Sequence, residues 1–163
     1  MRPHSLELRP PRSLCEWTRY HDIRKRCIFD KYHGKGARYH FEYDPDHPDE
    51  RDPANHPLVF LADGAVIGTI RIDIKPERRA VFRLVAIDAP WQGHGLGTML
   101  LKMAETYARA RRVQSICLNS VPDAYRLYIR CGFNPARWDG CTQNRSEIPV
   151  IKEFAHQEMS LAA

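Results

Sequence analysis

Apolar and polar residues change their spacing several times along the chain, and each change marks a new element. Residues 5–9, SLELR, alternate as a short strand does. Beyond them Trp17, Tyr20, Ile23, Cys27 and Ile28 recur at helical spacing behind Ser13 and Glu16, which are set as a capping box, and this predicts a helix. Residues 39–57, YHFEYDPDHPDERDPANHP, are aromatic, acidic and rich in Pro and His, and read as a long surface loop. Leu58–Ala62 and Ala65–Ile74 flank Asp63-Gly64, a strong hairpin signal, with Ile70, Ile72 and Ile74 on one side and Thr69, Arg71 and Asp73 on the other. After the turn KPERR a third strand, Val81–Ile87, completes an antiparallel meander.

From Leu96 to about Arg112 the period becomes helical, through Leu96, Met99, Leu100, Met103, Tyr107 and Ala108. Ser115–Asn119 reads as another strand. Ser120 as N-cap, with Pro122 and Asp123 in the first turn, predicts a helix running to about Arg130 and stopped by Gly132. Phe133 opens a short strand, and the alternating segment Glu153–Leu161 predicts a closing one. The order of elements predicts an α/β (α+β) fold, a mixed sheet with helices packed on it, in one domain over residues 1–163.

Composition narrows the function classes. With 163 residues, 43% hydrophobic and 28% charged, the chain is globular in type, and its apolar runs are too short to span a bilayer. The basic N-terminus lacks the apolar core of a secretory signal, so a cytoplasmic protein is expected. Five scattered cysteines without a CxxC pair predict reduced thiols and no zinc site. The net charge of +5 suits an anionic ligand, but no basic block or nucleic-acid-binding signature accompanies it, so no nucleic acid partner is expected.

The stretch WQGHGLGT, Trp91 to Thr98, lies between a strand and a helix and carries three glycines at alternate positions. Bare amides at a helix N-terminus form a seat for an anion. The Walker A loop is excluded because Gly97, not lysine, precedes Thr98. A dinucleotide fingerprint needs GxGxxG inside a parallel βαβ unit with an acid ending the next strand; here the spacing is GxGxG after a meander, and the next strand ends in Asn119.

Gln92, Gly95 and Gly97 behind the strand LVAIDAPW fit [QR]xxGx[GA], and residues 124–133, AYRLYIRCGF, fit Axx[FL]YxxxGF. The two blocks and their separation resemble the GNAT N-acetyltransferase family over roughly residues 55–161, which implies a GNAT-like, mostly antiparallel central sheet flanked by helices. The resemblance implies acetyl-CoA as co-substrate, without a metal, and transfer of its acetyl group to a primary amine by direct attack in a ternary complex. The loop amides of Gly93, His94, Gly95, Leu96, Gly97 and Thr98 would then hold the pyrophosphate, with Gln92 fixing the loop and the His94 side chain in solvent. The main chain of Val85, Ala86 and Ile87 would bind the pantetheine arm, with the N–H of Ile87 or its neighbour polarising the thioester carbonyl. Tyr128 would protonate the departing thiolate, while Tyr125 packs on the sheet. Asn119 stands where the strands could part to admit the cofactor, or else caps the next helix.

The base that takes the amine proton is not named by the resemblance. Where many relatives carry a glutamate on the strand before the loop, this chain has Arg83, which could instead hold an acidic group of the acceptor. Asp73, His40 and Glu42 are the candidates, and Tyr39, Phe41 and Tyr43 could wall the acceptor site in an acidic segment that includes Asp44 and would help recognise the amine. Cys131 would be the nucleophile of a covalent route. A calcium site is disfavoured by the prolines in the acidic run. The acceptor stays open between a small-molecule amine and a protein or peptide amine, as does a homodimer through a C-terminal edge strand. A domain that keeps the acyl-CoA cradle as a non-catalytic sensor is the alternative.

Overall fold

A computed structural model describes residues 2–32 and 42–155. Its centre is one sheet of seven strands in the order β1-β2-β3-β4-β5-β7-β6. The strands are β1 Leu6–Arg9, β2 Asn55–Ala62, β3 Ala65–Lys75, β4 Arg79–Ile87, β5 Ser115–Ser120, β6 Asn134–Pro135 and β7 Ile148–Glu153. Three helices pack on them: α1 Leu14–Arg24, continued by a π-helical segment Lys25–Asp30, α2 Leu96–Arg109 and α3 Tyr125–Arg130. Every strand pairing is antiparallel except that of β4 with β5. The mixed, mostly antiparallel sheet expected from the sequence is therefore present.

Both faces of the sheet are covered, which is why β2 reads as a continuous apolar run. Leu58 and Phe60 pack with Ile70, Ile72 and the α2 residues Leu100, Leu101, Ala104 and Ala108. Val59 and Leu61, alternating with them, meet Tyr20 and Ile23 of α1 on the other face. Ser13 caps α1 by accepting from the Glu16 amide, but the Glu16 carboxylate reaches the Arg12 amide at 2.6 Å and not that of the cap. The hairpin turn puts both Asp63 and Gly64 at positive φ, 48° and 84°, the conformation that matches the twist of two paired strands.

The structure corrects four expectations. β2 begins at Asn55, inside the segment read as loop; Pro57 is tolerated there because β1 pairs only with Val59–Ala62, leaving that stretch of β2 without a second neighbour. Ser120 is not the N-cap of the following helix. It is the buried last residue of β5, its hydroxyl donates to the Val121 carbonyl, and a 3-10 turn over Pro122–Ala124 precedes α3. The strand after Gly132 is Asn134–Pro135, with Phe133 buried in the core ahead of it. The closing strand is Ile148–Glu153, not Glu153–Leu161, and residues 156–161 lie outside the described residues. Its Val150 is fully buried between β5 and β6, so the strand lacks the half-exposed alternation by which the later segment was chosen.

The feature that makes room for a site is the parting of β4 from β5. They pair only through Arg79↔Ser115, Ala80↔Ile116 and Val81↔Cys117. Just beyond, β4 carries a bulge: Thr69 lies opposite Ala86 and Arg71 opposite Arg83, so Leu84 and Val85 face Ile70 alone. Leu84 sits at φ 52°, where its side chain costs about 1–2 kcal/mol, and the buried Thr69 hydroxyl donates to its carbonyl at 3.3 Å. From Phe82 on, the flank of β4 that β5 would have covered is open.

On the other flank the fit is tight. A Cβ at Gly68 would lie 2.8 Å from the Ala86 carbonyl oxygen and 3.0 Å from Ile87 Cδ1. Gly68→Ala is expected to lower stability by about 1–3 kcal/mol, because the obstacle is backbone that cannot rotate away. Chemical denaturation of the two proteins checks this.

Candidate active site

The opening between β4 and β5 is one end of a cavity of about 470 Å³. Val85, Ala86 and Ile87 form one wall, and Leu118 and Asn119 of β5 another. Gln92, Gly93 and Gly95–Thr98 close one end, while Cys27, Ile28, Lys31 and Tyr32 from the continuation of α1 and Leu127, Tyr128 and Arg130 of α3 close the rest. The three loop glycines are needed for two different reasons. Gly93 and Gly95 sit at φ 79° and 77°, where a side chain would be strained, and Gly95 begins α2 without any side-chain cap. Gly97 instead lies against α3, where a Cβ would come 3.2 Å from Leu127 Cδ2.

Among the described residues, no protein carbonyl accepts a hydrogen bond from the amides of Gly93 to Thr98. The turn is braced from behind. Gln92 Nε2 donates to the Ile87 carbonyl at 2.7 Å, and the buried Asp88 accepts from Arg19 at 2.7 Å, from Arg26 at 3.0 Å and from the Ala89 amide at 2.9 Å. The His94 side chain is exposed and does not line the cavity.

Tyr128 is 6% exposed, lines the cavity and packs edge-on against Phe133 with ring centroids 5.7 Å apart. Burial pushes its phenol well above its ordinary value, so it is a neutral donor at any working pH. Tyr125 packs against the core and is absent from the cavity lining, as is Cys131, whose carbonyl instead accepts from Lys152 Nζ at 2.8 Å. Cys27 does line it, but burial pushes that thiol up. Cys131 thus stands outside the cavity, and Cys27, inside it, is not the activated thiolate that a covalent route needs.

A second cavity of about 370 Å³ adjoins the first and shares Phe82, Leu84, Asn119 and Glu147 with it. Glu42, Tyr43 and Asp44 line this second cavity, whereas His40, Tyr39 and Phe41 lie outside the described residues. Asp73 cannot be the base. It is 2% exposed, Arg71 grips it through Nε and Nη2 at 2.7 and 3.0 Å, and Arg83 Nε adds a third bond at 3.0 Å. Asn119 does not cap the next helix; its Oδ1 accepts from the Thr142 amide at 3.3 Å, joining β5 to the segment before β7.

The centre of this charged wall is Glu50, which sequence reasoning passed over. It receives Arg24 at 2.7 Å, Arg71 at 2.8 Å and the Tyr20 hydroxyl at 2.9 Å, on a 3-10 turn inside the segment read as plain loop. Burial alone would push its carboxyl up, but the bonds and charges of Arg24 and Arg71 outweigh that and hold it at about 2. In the sequence it is one acid among six in a polar run, and nothing local distinguishes it.

A family model described as "Acetyltransferase (GNAT) family" matches residues 17–133. The chain belongs to the GNAT acetyltransferase family. The match begins at Trp17 in α1, well before the motif-bearing region, and takes in the continuation of α1 that walls the cavity. Glucosamine 6-phosphate N-acetyltransferase 1 of Oryza sativa subsp. japonica is 29% identical over 90 residues, 49% of this chain and 54% of that protein, so the chain spans about half the length of the curated relative it matches. Among solved structures, the PaiA N-acetyltransferase of Thermoplasma acidophilum in complex with coenzyme A has a TM-score of 0.70 at 17% identity, over 92% of this chain and 99% of that one. The spermidine N-acetyltransferase of Vibrio cholerae, in complex with CoA and spermine, has a TM-score of 0.69 at 20% identity, over 91% and 95%. These show the GNAT fold. Among the described residues no helix is long and apolar enough to cross a membrane, and no group of three or more His, Cys, Asp or Glu is placed to hold a metal.

Glu50→Gln is expected to destabilise the protein by about 3–5 kcal/mol at neutral pH, since it leaves two buried arginines short of a charge. The carboxyl is depressed in the folded state, so its contribution is present above about pH 4.5 and is lost as pH falls toward 2. Denaturant unfolding at pH 7 and pH 3 should therefore show the gap between wild type and variant narrowing at the lower pH.

Proposed function

We propose that the protein transfers the acetyl group of acetyl-CoA to a primary amine of a small molecule, by direct attack in a ternary complex. The observation that carries this is the juxtaposition of two cavities across the parted strands, with loop amides that give no hydrogen bond to a protein carbonyl among the described residues at the far end of one and charged side chains lining the other.

The amides of Gly93–Thr98, at the positive end of α2, would hold the pyrophosphate, and the open flank of β4 at Val85–Ile87 would pair with the pantetheine arm as an added strand. This places the thioester near the bulge, where a main-chain N–H of β4 polarises its carbonyl. The amine enters from the second cavity. Its lone pair attacks the carbonyl carbon, and when the C–S bond breaks, the sulfur takes a proton from the Tyr128 phenol. A tyrosine held neutral by burial suits a donor that must never ionise in advance. Family membership and the fold shared with coenzyme A-bound neighbours support this reading, and the polyamine and amino-sugar acetyltransferases among the similar proteins favour a small acceptor.

Free CoA release from acetyl-CoA, followed with a panel including spermidine, glucosamine 6-phosphate, amino acids and a lysine peptide, tests the proposal. Release with at least one small amine is expected; absence of any heat on titration with CoA would sink it. Tyr128→Phe should lower kcat by about 10²-fold or more, with little change in CoA affinity. In the wild type, the alkaline loss of rate due to Tyr128 should fall above pH 10.

A further inference from the structure

Resting on the acetyl-transfer reading, we infer that the acceptor is a primary amine that also carries a carboxylate or phosphate group, and that Arg83 holds this anion. The starting point is a charge imbalance in the wall of the acceptor cavity. Arg24, Arg71 and Arg83 all line it, and they share two buried carboxylates, Glu50 and Asp73. Arg71 stands between the two and spends its donors on both. Asp49 comes only to 3.5 Å from Arg71, from an exposed position. The wall therefore holds one more guanidinium than it has close counter-charges.

The imbalance surfaces at Arg83. Arg24 is 2% exposed, its Nε and Nη1 are sealed in without a hydrogen-bond partner, and its guanidinium lies 4.5 Å over the Tyr20 ring. Arg83 is only half-buried. Its Nε donates to Asp73 at 3.0 Å, which anchors the inner edge of the guanidinium, while its two terminal nitrogens make no hydrogen bond among the described residues and are not sealed from solvent. Among those residues no carboxylate other than Asp73 stands within ion-pair distance of it. A planar fork, fixed at one edge and unspent at its tip, is suited to take two oxygens of one carboxylate or phosphate side by side.

Position gives this donor pair its use. Arg83 directly precedes Leu84, which lines both cavities, and β4 is open from Phe82 on. An anion on Arg83 thus lies beside the place where the acceptor meets the thioester. Glu42, Asp44 and Asp49 stand exposed around the same cavity and attract the ammonium end of such an acceptor as it enters. A polyamine, which has cationic groups alone, would meet a like charge at Arg83, and this works against it.

The test follows CoA release by wild type, Arg83→Gln and Arg83→Lys with amines paired so that only the anion differs: glucosamine 6-phosphate against glucosamine, and alanine against alaninamide, with spermidine as a further probe. Wild type should prefer the anionic member of at least one pair, and the pair that shows the preference separates phosphate from carboxylate. Arg83→Gln should reduce that preference, as a ratio of kcat/KM values, about 10- to 100-fold and mainly through KM, because the contact is made in the ground state as well as the transition state. Comparing ratios between proteins cancels the difference in amine pKa within a pair. Arg83→Lys keeps the charge without the fork and should recover part of the preference. Asp73 keeps both bonds from Arg71 in these variants, so CoA titration should match that of wild type. Equal or better use of the neutral members or of spermidine by wild type, or an unchanged ratio in Arg83→Gln, overturns the inference while leaving acetyl transfer intact. Wild-type failure to release CoA with any amine overturns both.

Discussion

The site exists because two neighbouring strands stop pairing after three residues. A parallel pair that continued past Val81 and Cys117 would close its hydrogen bonds and leave no cavity. The divergence is followed in β4 by one extra residue, with Leu84 in a left-handed conformation and Thr69 bonded to its carbonyl. Strain of this kind persists only where surrounding packing overdetermines it. Here β3 does so as the paired neighbour, α1 on one face of the sheet, and α2 and α3 on the other. The gap gives a cofactor exposed main chain to pair with, and it lets the second cavity meet the first.

A second constraint shapes the acceptor side. Arg24, Glu50, Arg71, Asp73 and Arg83 link α1, the turn at 48–50, β3 and β4 through bonds of 2.7–3.0 Å. Buried charges so arranged contribute little net stability compared with a hydrophobic wall, yet removing any one strands its partners. Their value lies in fixing positions. They also hold Asp73 and Glu50 in structural roles, each ringed by arginines.

How much of this was legible depended on whether the cause was local. The hairpin at Asp63-Gly64, the glycine loop and the helix after it were readable because turn glycines and helical period are properties of short stretches. The bulge was not, since RLVAI carries no glycine to mark a positive φ and its strain is imposed by Thr69 across the sheet. β7 was misplaced because IPVIKE carries no apolar–polar alternation: Val150 alone is buried and its neighbours are half-exposed on either side of it. The candidate site was half legible: two motifs pointed to the loop and to Tyr128, while Asp73 looked available until Arg71 and Arg83 were found around it. Glu50 acquires its surroundings from segments distant in sequence, Arg24 and Arg71.

The clamp on Asp88 carries a mechanical implication. This carboxylate stands one residue beyond β4, at the root of the glycine turn, yet it is held by Arg19 and Arg26 from α1 and its continuation. The turn and the helical wall across from it thus share one hinge pin. An ionic joint on the outer rim ties the two, and its arginines remain about 40% exposed and open to dissolved salt.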